Sequence, residues 1–161
     1  MKNQKSIFTV SSSGGHYSEL MELVEHLPKD FKIIIFRDSI QKESLFSKVY
    51  FLKDKNFLNI SISSVGRSLW RIINTFFIGS YLLIKDRPIC LITTGAGIGT
   101  IFCLLCKFLF IPSIYICSPT HVKRIGLSCL FARFLANEFY VRHNSLAKTI
   151  NCKYFPIDAI G

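Results

Sequence analysis

Acidic residues are scarce in this chain. Its 161 residues include 10 Asp and Glu against 20 Lys and Arg, a formal net charge of +10. The few carboxylates are not clustered, and no His pair has ligand spacing, so no metal is expected. Basic tracts are absent too, because Lys and Arg are scattered singly. With no zinc-finger spacing and no basic–aromatic strand pattern, nucleic acid is the weakest of the partners that a basic chain admits. Residues 1–5 are polar and 7–10 are too short for a signal core, so no secretory signal is expected. Nucleotide fingerprints are missing. SSSGGH at 11–16 is not GxGxxG, no acid is placed to hold a ribose, and the lysine of GxxxxGK[ST] is lacking. GAGIG at 95–99 is only a partial match to a dinucleotide loop. GxSxG with an ordered acid–His pair is absent as well, which sets serine-nucleophile chemistry aside. No organic cofactor is expected.

What the chain does have is apolar bulk. Half of its residues are hydrophobic and 15 are Phe. The length suits one domain with a real core, over residues 1–161. Apolar bulk combined with positive charge points to an anionic membrane face or a phosphorylated ligand. Cysteines fall at 90, 103, 106, 117, 129 and 152, mostly inside apolar runs. Cys103 and Cys106 form a CxxC within FCLLCKF, where buried thiols in a reducing compartment fit better than a redox or zinc motif.

Residues 6–24 are the stretch around which the chain is organised. A β-branched run at 7–10 enters a polar, glycine-containing turn at 11–15. Leu20, Leu23, Val24 and Leu27 then repeat at helical spacing. Glycines let the backbone turn sharply and its amides approach a ligand closely. The unpaired N–H groups of a first helical turn favour an anion there. Further strands are expected at 31–36, 48–52, 89–93, 113–117 and 137–141, the last closing the main sheet. A short helix is expected within 39–48 and a loop over 53–64. Helices are expected at 65–85, 100–110, 126–135 and 146–150, and a second glycine-rich turn at 94–99.

The helix at 65–85 carries Trp70, Ile73, Phe77, Tyr81 and Ile84 on one side, with Arg67 and Arg71 near its start. Leu69, Ile72, Phe76, Leu82 and Leu83 widen the apolar face almost all round. It is too short for a confident membrane span. It packs against another chain, lies along a bilayer surface, or is simply a well-buried helix. Residues 101–117 are interrupted by Lys107 and Pro112 and read as a helix and a strand.

Alternating strands and helices give an α/β fold, a parallel sheet with helices on both faces. Ligands on such sheets bind beyond the carboxyl ends of the strands. Three loops leave those ends, at 11–16, 94–99 and 118–124, and none contains an acidic residue.

SSSGGHYSEL at 11–20, RPICLITTGAG at 87–97 and IYICSPTHVKRIGLS at 114–128, in this order and at this distance, resemble the Alg14-like family. The resemblance covers nearly the whole chain. It implies a Rossmann-like fold equivalent to the N-terminal half of a GT-B glycosyltransferase. It further implies an acceptor-binding subunit that pairs with a second chain resembling the C-terminal half, which binds the UDP-sugar. The acceptor would be a polyprenyl-diphosphate-linked saccharide at the cytoplasmic face of a membrane. Without an N-terminal anchor like that of eukaryotic relatives, the chain resembles the bacterial type, which acts in capsule and exopolysaccharide assembly. Gly14, Gly15 and His16 match the family's glycine–histidine loop, Gly95 and Gly97 its second glycine loop, and Arg124 and Ser128 its later Arg and Ser. Cys117 stands where the family usually has Glu, and Arg142 and His143 where it often has Gln and Trp. The chain ends at Gly161, short of the continuation expected in the family.

Inverting transfer needs a base for the acceptor hydroxyl and donors for phosphate oxygens. His16 is the candidate base. Its other reading is a turn residue that hydrogen-bonds the loop or holds diphosphate. Amides around Ser13, Gly14 and Gly15 would hold acceptor oxygens, with hydroxyls of residues 11–13 as further donors. Gly95 and Gly97 would allow close approach of the lipid-linked sugar, or simply make a tight turn. Arg124, with Lys123 and His121, would meet phosphate or the partner, or be a solvated basic loop. Glu19 would orient the imidazole, or sit favourably on the helix dipole. Two other functions stay open: a non-catalytic scaffold that anchors and stimulates a glycosyltransferase, and a free-standing nucleotide-binding protein.

Overall fold

The computed structural model describes residues 5–12, 15–37, 46–51, 64–118 and 125–156. These residues form seven strands: β1 (Ser6–Ser11), β2 (Lys32–Arg37), β3 (Lys48–Phe51), β4 (Cys90–Thr93), β5 (Ser113–Ile116), β6 (Glu138–Val141) and β7 (Lys153–Tyr154). Five helices join them: α1 (Gly15–Glu25), α2 (Ser64–Asp86), α3 (Ala96–Phe108), α4 (Leu127–Leu135) and α5 (Asn144–Ile150). The strands lie in the order β3-β2-β1-β4-β5-β6-β7, and every neighbouring pair is parallel. The chain winds outward from β1 to β3, crosses through α2, and winds the other way from β4. The order therefore reverses between β1 and β4, the switch point beyond which ligands of such sheets bind. This is the Rossmann-like α/β fold.

Strict alternation of side chains assigns the two faces. Phe8, Val10, Ile34, Phe36, Leu91, Tyr115 and Val141 point into a core shared with α2, α3, α4 and α5. Ile7, Ile33, Ile35, Ile92 and Ile116 point to the opposite face, where α1 lays Leu20, Val24 and the half-buried Leu23. Phe102 of α3 anchors the larger core, 5.6 Å from the Phe8 ring and 4.9 Å from the Phe36 ring, centroid to centroid. Burying such a ring contributes on the order of 2–3 kcal/mol. Two glycines set how close the helices come. A Cβ on Gly99 would run into the Thr93 side chain, so its absence lets α3 lie directly on β4. A Cβ on Gly79 would stand 2.8 Å from Leu105, so its absence brings α2 against α3.

Several expectations are corrected here. The stretch 94–99 is not one long turn. Only Thr94 and Gly95 turn, and α3 begins at Ala96, placing Gly97 and Gly99 inside the helix. Small residues over the strand end let the helix start at once. That helix stops at Phe108 rather than at 110, and Phe110 is 94% exposed at φ +55°. β6 is not the last strand, because β7 pairs outside it. Leu27 lies past the end of α1 yet still packs on its core. The well-buried reading of 65–85 fails. α2 buries Thr75, Gly79, Leu82 and Leu83 but leaves Leu69, Trp70, Ile72, Ile73, Phe77, Tyr81 and Ile84 at 40–69% exposure. The helix expected within 39–48 falls mostly, and the loop over 53–64 almost wholly, outside the described residues.

Candidate functional site

His16 stands in the first turn of α1, just past the exit of β1. Its Nδ1 is 2.9 Å from the carbonyl oxygen of Thr94, the residue that follows β4. A carbonyl only accepts, so Nδ1 carries a proton, and in the neutral ring Nε2 is the nitrogen with the free lone pair. The Thr94 hydroxyl returns the contact, donating to the His16 carbonyl at 2.6 Å. These reciprocal bonds tie the two loops that flank the point where strand order reverses. Among the described residues none hydrogen-bonds Nε2, and the side chain is 29% exposed. The imidazole is thus fixed through Nδ1, with Nε2 left open among the described residues.

Gly95 lies beneath the ring. Its φ is +108°, and a Cβ there would come within 3.2 Å of Cε1 and Nδ1 of His16. Both backbone and space demand glycine at this position. Gly15 opens α1 and Gly97 lies in the first turn of α3; both are exposed, with nothing within 4 Å of an added Cβ. Neither is required by packing. The structure thus brings His16 and Gly95 together, and sets Gly15 and Gly97 on the opening turns of the two helices. Ser13, Gly14 and Arg124 lie outside the described residues, as do His121 and Lys123.

Glu19 is drawn into the same place. It lies in the second turn of α1, beyond the reach of the simplest helix-dipole argument. Its Oε1 accepts from the Ser118 hydroxyl at 2.9 Å, and its Oε2 lies 3.9 Å from His16 Nδ1. Ser118 follows β5, so the third strand end joins the other two through this carboxylate. Burial pushes the Glu19 carboxyl above its ordinary value, while the bond from Ser118 and the charges of His16 and Arg142 pull it partly back. The three loops carry no acid of their own, but Glu19 of α1 stands beside the His16 ring, where the orienting reading puts it.

Arg142, which follows β6, is buried rather than part of a polar exit. It donates through Nη1 to the Pro156 carbonyl at 3.4 Å, and its guanidinium lies 5.0 Å from the Phe155 ring centre. Arg37, at the end of β2, is buried with its guanidinium 3.9 Å over the Tyr17 ring. Cys117 does not face His16. Its thiol donates to Cys129 of α4 at 3.1 Å, and this bond together with burial holds it above the ordinary thiol range.

Sequence reading puts Thr94 and Ser118 in loops at this end of the sheet but gives neither a role, and it misses Arg37. A hydroxyl immediately after a buried strand, as in residues 91–94 and 114–118, is the available signal for the first two. For Arg37 it is a cation closing an otherwise apolar strand. The contacts themselves span 78 and 99 positions along the chain and leave no local pattern.

The family described as "Oligosaccharide biosynthesis protein Alg14 like" matches residues 7–157. No curated protein matches the sequence. Among solved structures, MurG of Acinetobacter baumannii superposes with a TM-score of 0.69 at 11% identity, over 86% of this chain and 41% of that one. The UDP-GlcNAc 2-epimerase of Methanocaldococcus jannaschii gives 0.63 at 13% identity, over 94% and 45%. The UDP-N-acetylglucosamine 2-epimerase of Rickettsia bellii gives 0.66 at 8%, over 94% and 44%. At these identities the likeness is one of fold. The chain spans less than half the length of each of these proteins.

Proposed function

This chain belongs to the Alg14-like family of oligosaccharide biosynthesis proteins, and from that premise we propose that it is the acceptor-binding subunit of a two-chain inverting glycosyltransferase. In this reading residues 1–161 are one acceptor-binding domain. A second chain, equivalent to the C-terminal half of a GT-B enzyme, binds the UDP-sugar. The acceptor is a polyprenyl-diphosphate-linked saccharide, and the product feeds surface polysaccharide assembly. The observation that carries the proposal is the His16–Thr94 lock at the point where strand order reverses. It leaves a basic nitrogen where ligands of such sheets bind.

The chemistry is a single displacement. The acceptor hydroxyl forms a bond to the anomeric carbon while the bond to the diphosphate breaks, and UDP leaves with the electron pair. The hydroxyl proton passes to His16 Nε2. Ser13, Gly14 and Gly15 would hold acceptor oxygens on backbone amides, Gly95 and Gly97 would leave room for the sugar, and Arg124 would offset phosphate charge. The exposed apolar side of α2, with Lys85 and Arg87 close by, would rest on an anionic membrane face. No described helix is long and apolar enough to cross a membrane.

A second reading is favoured by one observation. Both Nδ1 and the backbone carbonyl of His16 are used to tie loops together, which is what a scaffold needs. Membranes carrying lipid-linked acceptor, assayed with a panel of UDP-sugars, distinguish the two. A split enzyme with its base here needs both chains and loses at least ~100-fold activity with His16→Gln. A scaffold keeps its activity with that substitution so long as the complex forms.

A further inference from the structure

We infer that Glu19 is a positioning residue for His16: held by Ser118 at the exit of β5, its carboxylate steadies the imidazole and offsets the charge the ring gains on taking the acceptor proton. This rests on the reading of His16 as base and adds a second residue to it. The geometry is specific. Of the two carboxylate oxygens, Oε1 is occupied by the Ser118 hydroxyl. Oε2 is buried and has no hydrogen-bond partner among the described residues. A buried carboxylate oxygen without a donor is costly. Among the described residues the ionisable nitrogen within ion-pair distance is His16 Nδ1, 3.9 Å away, whose proton is committed to the Thr94 carbonyl.

For His16 to act as the base its ring must start neutral, and this oxygen then faces no charge. Once Nε2 is protonated, the same oxygen faces a cation. The interaction strengthens in the course of the reaction, which is the condition for contributing to rate rather than to binding. Nothing has to be exchanged. The acceptor proton stays on Nε2, Nδ1 keeps its hydrogen, and Glu19 remains a carboxylate. Thr94 fixes which nitrogen is basic, and Glu19 supplies the countercharge. Ser118 makes that countercharge depend on the loop that leaves β5.

Among the described residues the other groups acting on the carboxyl are Arg142 after β6 and Glu22 on α1, while Cys117 at the exit of β5 carries a thiol that feels Glu19. Arg142 favours the carboxylate and Glu22 opposes it. Neither lies within ion-pair distance of Oε2 among the described residues.

The coupling is readable without partner or acceptor. Carbon-13 NMR of the side-chain carboxyls of the whole chain follows the titration of Glu19 itself, assigned by its loss in Glu19→Gln. His16→Gln and Ser118→Ala should each move the Glu19 midpoint upward, by at least ~0.5 unit or about threefold in proton affinity. Reconstituted with the partner, Glu19→Gln should lower kcat at least tenfold with acceptor KM within twofold, and Glu19→Asp should recover part of the loss. Should Glu19→Gln not fold, Glu19→Asp serves alone, its retracted carboxylate giving a smaller fall in kcat. A Glu19 midpoint indifferent to His16, or a kcat indifferent to Glu19, overturns the proposal. Activity that survives His16→Gln overturns it by a different route, since the base reading then fails while the carboxyl coupling still stands.

Discussion

Gly95 carries two constraints at once, a φ of +108° and a His16 ring 3.2 Å from any added Cβ. Gly95→Ala is expected to cost about 1–3 kcal/mol in denaturant unfolding and to displace the imidazole, so partner-dependent activity falls with stability. Gly97→Ala is the complementary case. Its Cβ meets open space on a helix, so stability should be unchanged or rise by up to ~1 kcal/mol. If activity nonetheless drops, the position serves ligand approach; unchanged activity makes Gly97 an ordinary first-turn residue. Glu19 gives a pH signature. Burial raises its carboxyl above 4.5, so the folded chain keeps a proton that the unfolded chain has released. Its contribution to stability is full below pH 4.5 and declines as pH rises through the higher folded value. Glu19→Gln removes this slope. Unfolding free energy, variant minus wild type, should therefore climb with pH across that window. A flat difference would mean the carboxyl titrates alike in both states.

Elements differ in how far the sequence disclosed them. The run at 31–36 is β-branched and buried on both faces, and it became β2 one residue later. The glycine-rich stretch at 94–99 misled in part, because only Gly95 serves a turn while Gly99 serves close packing of α3 on Thr93. The helix at 65–85 was located well but its burial was not. Its near-continuous apolar pattern cannot distinguish a face that meets α3 from one that stays exposed. The structure separates Leu82 and Leu83, buried, from Phe77, Tyr81 and Ile84, open to solvent. This yields a paired prediction. Leu83→Ala should cost about 2–5 kcal/mol in unfolding. Phe77→Ser with Tyr81→Ser should leave stability within about 1 kcal/mol, at roughly 0.5 for each surface position, yet reduce sedimentation with vesicles of anionic lipid several-fold. Equal vesicle binding by that double variant would remove α2 from the membrane contact.

Across the whole molecule the inference runs from topology to site. A parallel sheet in the order β3-β2-β1-β4-β5-β6-β7 has its switch point at the β1/β4 boundary, and His16, Thr94 and Gly95 lie there. The strand pattern made the convergence of loop ends legible before any coordinate. What stayed hidden were side-chain pairings across distant segments, His16 with Thr94 and Glu19 with Ser118, since composition and periodicity carry no record of them. The same topology underlies enzymes of more than twice this length, and the share of work left to a second chain is the central claim. It is tested most directly by titrating the isolated chain with two probes, a short-chain polyprenyl diphosphate carrying one sugar and a UDP-sugar, while following amide NMR shifts at Gly15, His16, Thr94 and Gly95. The account predicts saturable shifts at these residues with the polyprenyl-linked sugar and none with the UDP-sugar. Shifts produced by the UDP-sugar alone would contradict it and make the chain a nucleotide-binding protein.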